Sequence, residues 1–89
     1  MSSDIQRFGE KLHLLRVHHN LTLVQLALLL GYQTHSYISE IESGHKTPTV
    51  GLVLKVSRLF SVTTDELLID EIEIDFNKSH LITNSPENG

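Results

Sequence analysis

Eighty-nine residues, 39% hydrophobic and 20% charged, make one domain with a modest core and are too few for a two-domain enzyme with a deep cleft. The absence of cysteine excludes a disulfide framework, a thiolate metal site and thiol redox chemistry. The net charge of −4 is unevenly placed: up to Val62 six basic residues face four acidic ones, a balance of +2, while beyond it Lys78 alone faces seven carboxylates, a balance of −6.

Ser3 with Gln6 has the spacing of a capping box, and Ile5, Phe8, Leu12 and Leu15 recur at helical intervals, which predicts helix 1 up to about His18. Thr22 with Gln25 repeats the device. Leu21 and Leu26 stand at hydrophobic-staple positions and Gly31 is placed to end helix 2. Helix 3 is predicted from Thr34 or His35 to Ser43, burying Ile38 and Ile41, with Gly44 in the left-handed position after it. Pro48 opens the exit loop. Thr49 caps helix 4, whose Leu52, Val53, Val56, Leu59 and Phe60 form a core stripe. Thr63 with Glu66 is a further capping box, stapled by Val62 and Leu67, and starts a short helix 5.

The expected fold is therefore all-α, about five short helices over residues 3–70, followed by an acidic extension over 71–89. In that extension Ile72, Ile74 and Phe76 alternate with Glu73 and Asp75 as in a strand, while Ile69, Ile72 and Phe76 also fit a helical stripe; the polar run from Asn77 is expected to be mobile. The opening MSSDIQRFGEK has no apolar run after a basic region. No segment approaches the roughly 18 apolar residues of a membrane span, so a cytoplasmic protein without membrane contact is expected.

Between Thr22 and Gly44 an apolar helix, a Gly-bearing corner and a second helix with small and polar residues at its start form a helix-turn-helix, which makes duplex DNA the first partner to consider. A body at only +2 neutralises few phosphates, so affinity has to come from a dimer or from specific contacts. No nucleophile sits in an elbow motif and no glycine-rich loop cradles phosphate, so no enzyme activity is expected. His13, His18, His19, His35 and His45 show no repeated ligand spacing, and neither a metal nor another cofactor is expected.

The stretches LRVHHNLTLVQLALLLGY, SYISEIESGHKTPT and LVLKVSRLFSVTTDELL, in this order, resemble the lambda-repressor-like, or XRE-type, helix-turn-helix family over about two thirds of the chain. The resemblance implies an all-helical domain that binds operator-like DNA as a two-fold homodimer, commonly as a repressor. It pairs Arg16 with Glu42 as a tie between helices 1 and 3. It also places Gln33, Thr34, His35, Ser36, Ser39 and Glu40 where the family reads base edges, and His45, Lys46 and Thr47 where it touches phosphate.

Four departures stand out. The run after Gly31 is one residue longer than the commonest version, which leaves Gln33, Thr34 and His35 all open as the first recognition position. Leu23 replaces a phosphate-clamping glutamine, and Glu40, in place of a basic or amide residue, can accept from cytosine N4 but repels phosphate. Leu23, Val24, Leu28 and Leu29 also exceed what a core needs, so either the chain itself or a partner covers them. Leu23, Glu40 and the small positive charge of the body support a rival from another class, a protein-interaction module such as an antitoxin-like or anti-repressor partner, working through apolar helix 2 and the acidic tail.

Overall fold

Five α-helices, α1 (Phe8–His18), α2 (Leu23–Leu30), α3 (Ser36–Glu42), α4 (Val50–Phe60) and α5 (Thr64–Leu68), build the computed structural model, which describes residues 6–82 and has no strand among them. Three helix starts follow directly from threonine chemistry. Thr22 Oγ1 accepts the Gln25 N–H at 3.0 Å while Gln25 Oε1 accepts the Thr22 N–H at 2.9 Å, and Thr63 and Glu66 repeat the exchange at 3.0 and 2.8 Å. Thr49 Oγ1 accepts the Leu52 N–H at 3.1 Å. Each such cap satisfies a donor that the helix cannot, a contribution of about 1 kcal/mol. Gly31 and Gly44 hold φ of 89° and 84°, the left-handed conformation that terminates α2 and follows α3.

The core collects Phe8, Leu12 and Leu15 of α1, Leu26, Ala27 and Leu30 of α2, Ile38 and Ile41 of α3, the five stripe residues of α4, and Val62 and Leu67. α1 packs on α3 and α5, and α4 packs on α2 and α5, so each short helix buries its apolar stripe against at least two others. No helix among the described residues is long and apolar enough to cross a membrane.

Two expectations need correction. Helix 1 begins at Phe8, later than the predicted capping box; Ser3 and Ile5 lie outside the described residues. Arg7, just ahead of the first turn, has its N–H bound to Asp70 Oδ1 at 3.0 Å, so a carboxylate from the far end of the chain fixes this start. The extension, secondly, is neither strand nor helix as far as Ile82, and the rest of the run expected to be mobile lies outside the described residues. It runs back over α1 and α4, burying Ile74 and Ser79. The Ser79 hydroxyl donates to the Phe60 carbonyl at 2.7 Å, and the N–H groups of His80 and Ile82 donate to Phe60 and Leu59 at 3.2 and 2.7 Å. The reason is the end of α4: its last carbonyls have no helical partner, and the extension supplies the donors.

Lys11 anchors the other side. Its side chain is buried, and Nζ donates to the carbonyls of Glu66, Ile69 and Ile72, collecting the open end of α5 and the start of the extension around one ammonium. Burial, with Arg7 nearby, lowers the Lys11 pKa.

Two groups of side chains make stability pH-dependent. His19 stacks on Phe60 at 5.2 Å and lies 3.0 Å from Ser79 Oγ; burial, with His18 and His80 close by, holds its imidazole below the ordinary value. The unfolded chain takes up a proton near pH 6.5 that the folded one declines, so acidification through that value weakens the fold. Burial would raise Glu66, but the N–H groups of Thr63 and Asp75 outweigh it, and the Arg7 guanidinium holds Glu73 down, so both carboxyls titrate below their usual range. Their stabilisation is complete above about pH 4.3 and is lost as pH falls through the lower folded values. Circular dichroism melts are therefore expected to show a midpoint that falls in two stages, and Glu66→Gln shrinks the lower one; a level midpoint from pH 7 to 5 would refute the His19 stage.

Candidate nucleic-acid interface

The corner between α2 and α3 decides which surface faces outward. Ile38 and Ile41 are drawn into the core, which turns the opposite side of α3 to solvent. Helix 3 begins at Ser36 rather than at Thr34 or His35, so Gln33, Thr34 and His35 belong to the turn ahead of it, with His35 at the cap position. All three are exposed, as are Ser36 and Glu40; Ser39 is half-buried. His45, Lys46 and Thr47 are exposed in the loop after Gly44. The predicted residues therefore share one outward region formed by the turn, α3 and the loop beyond it. Their neighbours modify them: Glu40 lies 3.5 Å from Lys46, and Ser43 Oγ is 2.6 Å from His45 Nδ1.

Helix α3 is held by its far end. Arg16 of α1 meets Glu42 in a two-pronged bridge, Nε to Oε2 at 2.7 Å and Nη2 to Oε1 at 3.2 Å, with side-chain exposures of 15% and 9%. Arg16 Nη1 also donates to the Leu21 carbonyl at 2.9 Å, tying the entry of α2 to the same guanidinium, and His13 Nδ1 lies 3.0 Å from Glu42 Oε1. A second anchor escaped the sequence reading. Gly9 of α1 touches the end of α3 so closely that a Cβ there would stand 2.2 Å from the Ile41 carbonyl oxygen. The signal was available, because a glycine inside an amphipathic helix is costly unless something needs its missing side chain.

The electrostatics differ from a simple count of charges. Of the six basic residues in the body, Arg16 is bridged to Glu42 and Lys11 is buried among carbonyls. Arg7 is held by Glu10 at 3.2 Å and Glu73 at 2.9 Å, which raises its pKa further. Lys46, Lys55 and Arg58 remain exposed, the first beside Glu40. Gln25 is engaged by its capping box. On α2, Leu23 is half-buried against the core, whereas Val24, Leu28 and Leu29 stay exposed, so the chain covers only part of that apolar excess among the described residues.

A two-helix corner whose second helix is clamped at its end and open at its beginning defines a helix-turn-helix DNA-binding domain. A helix-turn-helix family model matches residues 12–67, well over half of the chain, and the chain belongs to this lambda-repressor-like, XRE-type family of DNA-binding transcription regulators, which are not enzymes.

Over 64 residues it is 47% identical to the HTH-type transcriptional activator BcrR of Enterococcus faecalis, a match that covers 72% of this chain and 31% of that protein. The chain thus spans about a third of the length of that curated relative. Among solved structures, the restriction-modification controller protein C.AhdI of Aeromonas hydrophila is similar at 30% identity and a TM-score of 0.63, with 72% of this chain and 96% of that one covered. The N-terminal DNA-binding domain of SinR from Bacillus subtilis is similar at 28% identity and a TM-score of 0.68, with 76% and 99% covered. A LexA structure from Eubacterium rectale, at 20% identity and a TM-score of 0.67 over 97% of this chain and 89% of that one, shares the fold.

Proposed function

We propose that this chain is a sequence-specific transcriptional regulator that binds a palindromic operator in the cytoplasm as a homodimer, its two α3 helices entering major grooves about 34 Å apart. The observation that carries the reading is the exposed leading end of α3, on a helix seated by Ile38 and Ile41 and clamped at its far end by Arg16, Glu42 and Gly9. Gln33, Thr34, His35, Ser36, Ser39 and Glu40 approach base edges, and His45, Lys46 and Thr47 position the loop on phosphates. Dimerisation supplies what a weakly basic monomer lacks, because two half-sites add their contacts. Repression by blocking polymerase is the simplest outcome for such a domain. The sign depends on where the operator lies relative to the promoter, and the relative BcrR is named an activator.

Glu40 is the residue with the most specific consequence. It accepts a hydrogen bond from cytosine N4, and when bound to Lys46 it also lowers the charge offered to phosphate. Selection from random duplexes is expected to enrich an inverted repeat with a cytosine at matched positions, and Glu40→Gln should move that preference toward adenine, a change of about 1–3 kcal/mol. The same variant releases Lys46 and steepens the salt dependence. Failure to enrich any repeat, together with salt-independent binding, would defeat the regulator reading. The exposed Val24, Leu28 and Leu29 would then favour the protein-interaction module, with helix α2 as its surface.

A further inference from the structure

Beside α3 runs a line of four side chains that the proposed base and phosphate contacts use only at one end. Lys46 Nζ lies 5.9 Å from the Tyr37 ring centre, Tyr37 and Tyr32 are 5.3 Å apart, and Lys55 Nζ sits 4.8 Å from the Tyr32 ring centre. These residues come from four places in the chain: the loop after α3, the first turn of α3, the corner before it, and α4. The line therefore borders the recognition helix along one flank. We infer that Tyr32, Tyr37 and Lys55, with Lys46, form a phosphate-binding track that grips the DNA strand alongside α3.

The inference rests on the DNA-binding reading proposed above and assigns it a second contact. Charge placement supports it. Arg7, Lys11 and Arg16 are engaged inside the protein, and of the three exposed cations that remain in the body, two stand on this line. A lysine resting on an aromatic face keeps its ammonium donors and is held in place, so less freedom is lost when it meets a phosphate. The Tyr32 phenol is protonated at neutral pH and able to donate, and partial burial, with Tyr37 adjacent, raises its pKa further. Both rings also pack against the core, so the track is set on a rigid base. Lys46 is shared with Glu40, which makes Lys55 its unshared charge.

The test compares salt slopes on a short duplex of random sequence, read by fluorescence anisotropy between 50 and 200 mM potassium chloride. Because the proposed homodimer carries Lys55 twice, Lys55→Gln is expected to lower the slope of log K against log salt by about 1.8 and to weaken binding about sixtyfold at 0.1 M salt, the effect of losing one phosphate contact per protomer. Lys55→Arg should retain the wild-type slope. Lys78→Gln, a charge-matched change in the extension, should leave it unaltered. Because Lys55 is exposed, its replacement spares the fold, and a purely structural role would not move the slope. Equal slopes for Lys55→Gln and wild type, with wild type showing salt-dependent binding, would overturn the track and leave the DNA reading intact. A wild-type chain that binds no duplex would overturn both.

Discussion

Arg16→Ala is expected to cost about 3–5 kcal/mol, because it removes the charged partner of the Glu42 carboxylate, which has 9% exposure and keeps only the His13 ring beside it among the described residues. For a domain of this size each kcal/mol lowers the melting midpoint by about 4–8 °C, so a fall of at least about 12 °C should be seen by circular dichroism. The Leu21 carbonyl also loses its donor, which loosens the entry to α2. Removing both charges together, as in Arg16→Met with Glu42→Leu, should recover much of the loss, since no charge is left buried alone. An unchanged midpoint in Arg16→Ala would rule out this role for the bridge. Because Glu42 closes α3, any folded variant should also present its recognition end at the wrong angle and bind DNA weakly.

Gly9→Ala tests the neighbouring anchor, and two physical effects oppose each other there. Alanine is favoured over glycine by about 1 kcal/mol in a helix interior and by less in the first turn, where Gly9 stands, so propensity alone would raise the midpoint slightly. Against that, the new Cβ would sit 2.2 Å from the Ile41 oxygen and 3.0 Å from that of Glu42, both backbone atoms that cannot swing aside. The helices must separate, at a cost of about 1–3 kcal/mol that outweighs the propensity gain. The midpoint should therefore fall. A rise would show that α1 and α3 do not approach so closely.

Local structure was legible where one side chain and the next turn settle the matter. Thr22, Thr49 and Thr63 announced three helix starts, and Gly31 and Gly44 their left-handed turns, because a cap or a positive φ depends on neighbours within a few residues. The core stripes of α1 and α4 were legible for the same reason, through helical periodicity. The outward region of α3 followed once Ile38 and Ile41 were recognised as its buried side. The start of α1 was not legible, since its N–H partner, Asp70, lies sixty-three residues away. Nor was the course of the extension: alternation and helical stripe coincided there, and its partners, Lys11 and the end of α4, are far off in sequence.

Sequence alone thus determined the number, order and type of helices, and through its motifs the family, because these depend on short-range hydrogen bonding and on the spacing of apolar residues. Tertiary structure decided which charges remain available. Lys11 and Arg7 counted as surface cations until the fold brought carbonyls and carboxylates against them, and Lys55 acquired neighbours only when α4 came beside the corner at Tyr32. Burial and pairing arise from contacts between distant segments, so the charge a domain can offer to DNA is a property of the folded surface rather than of its composition.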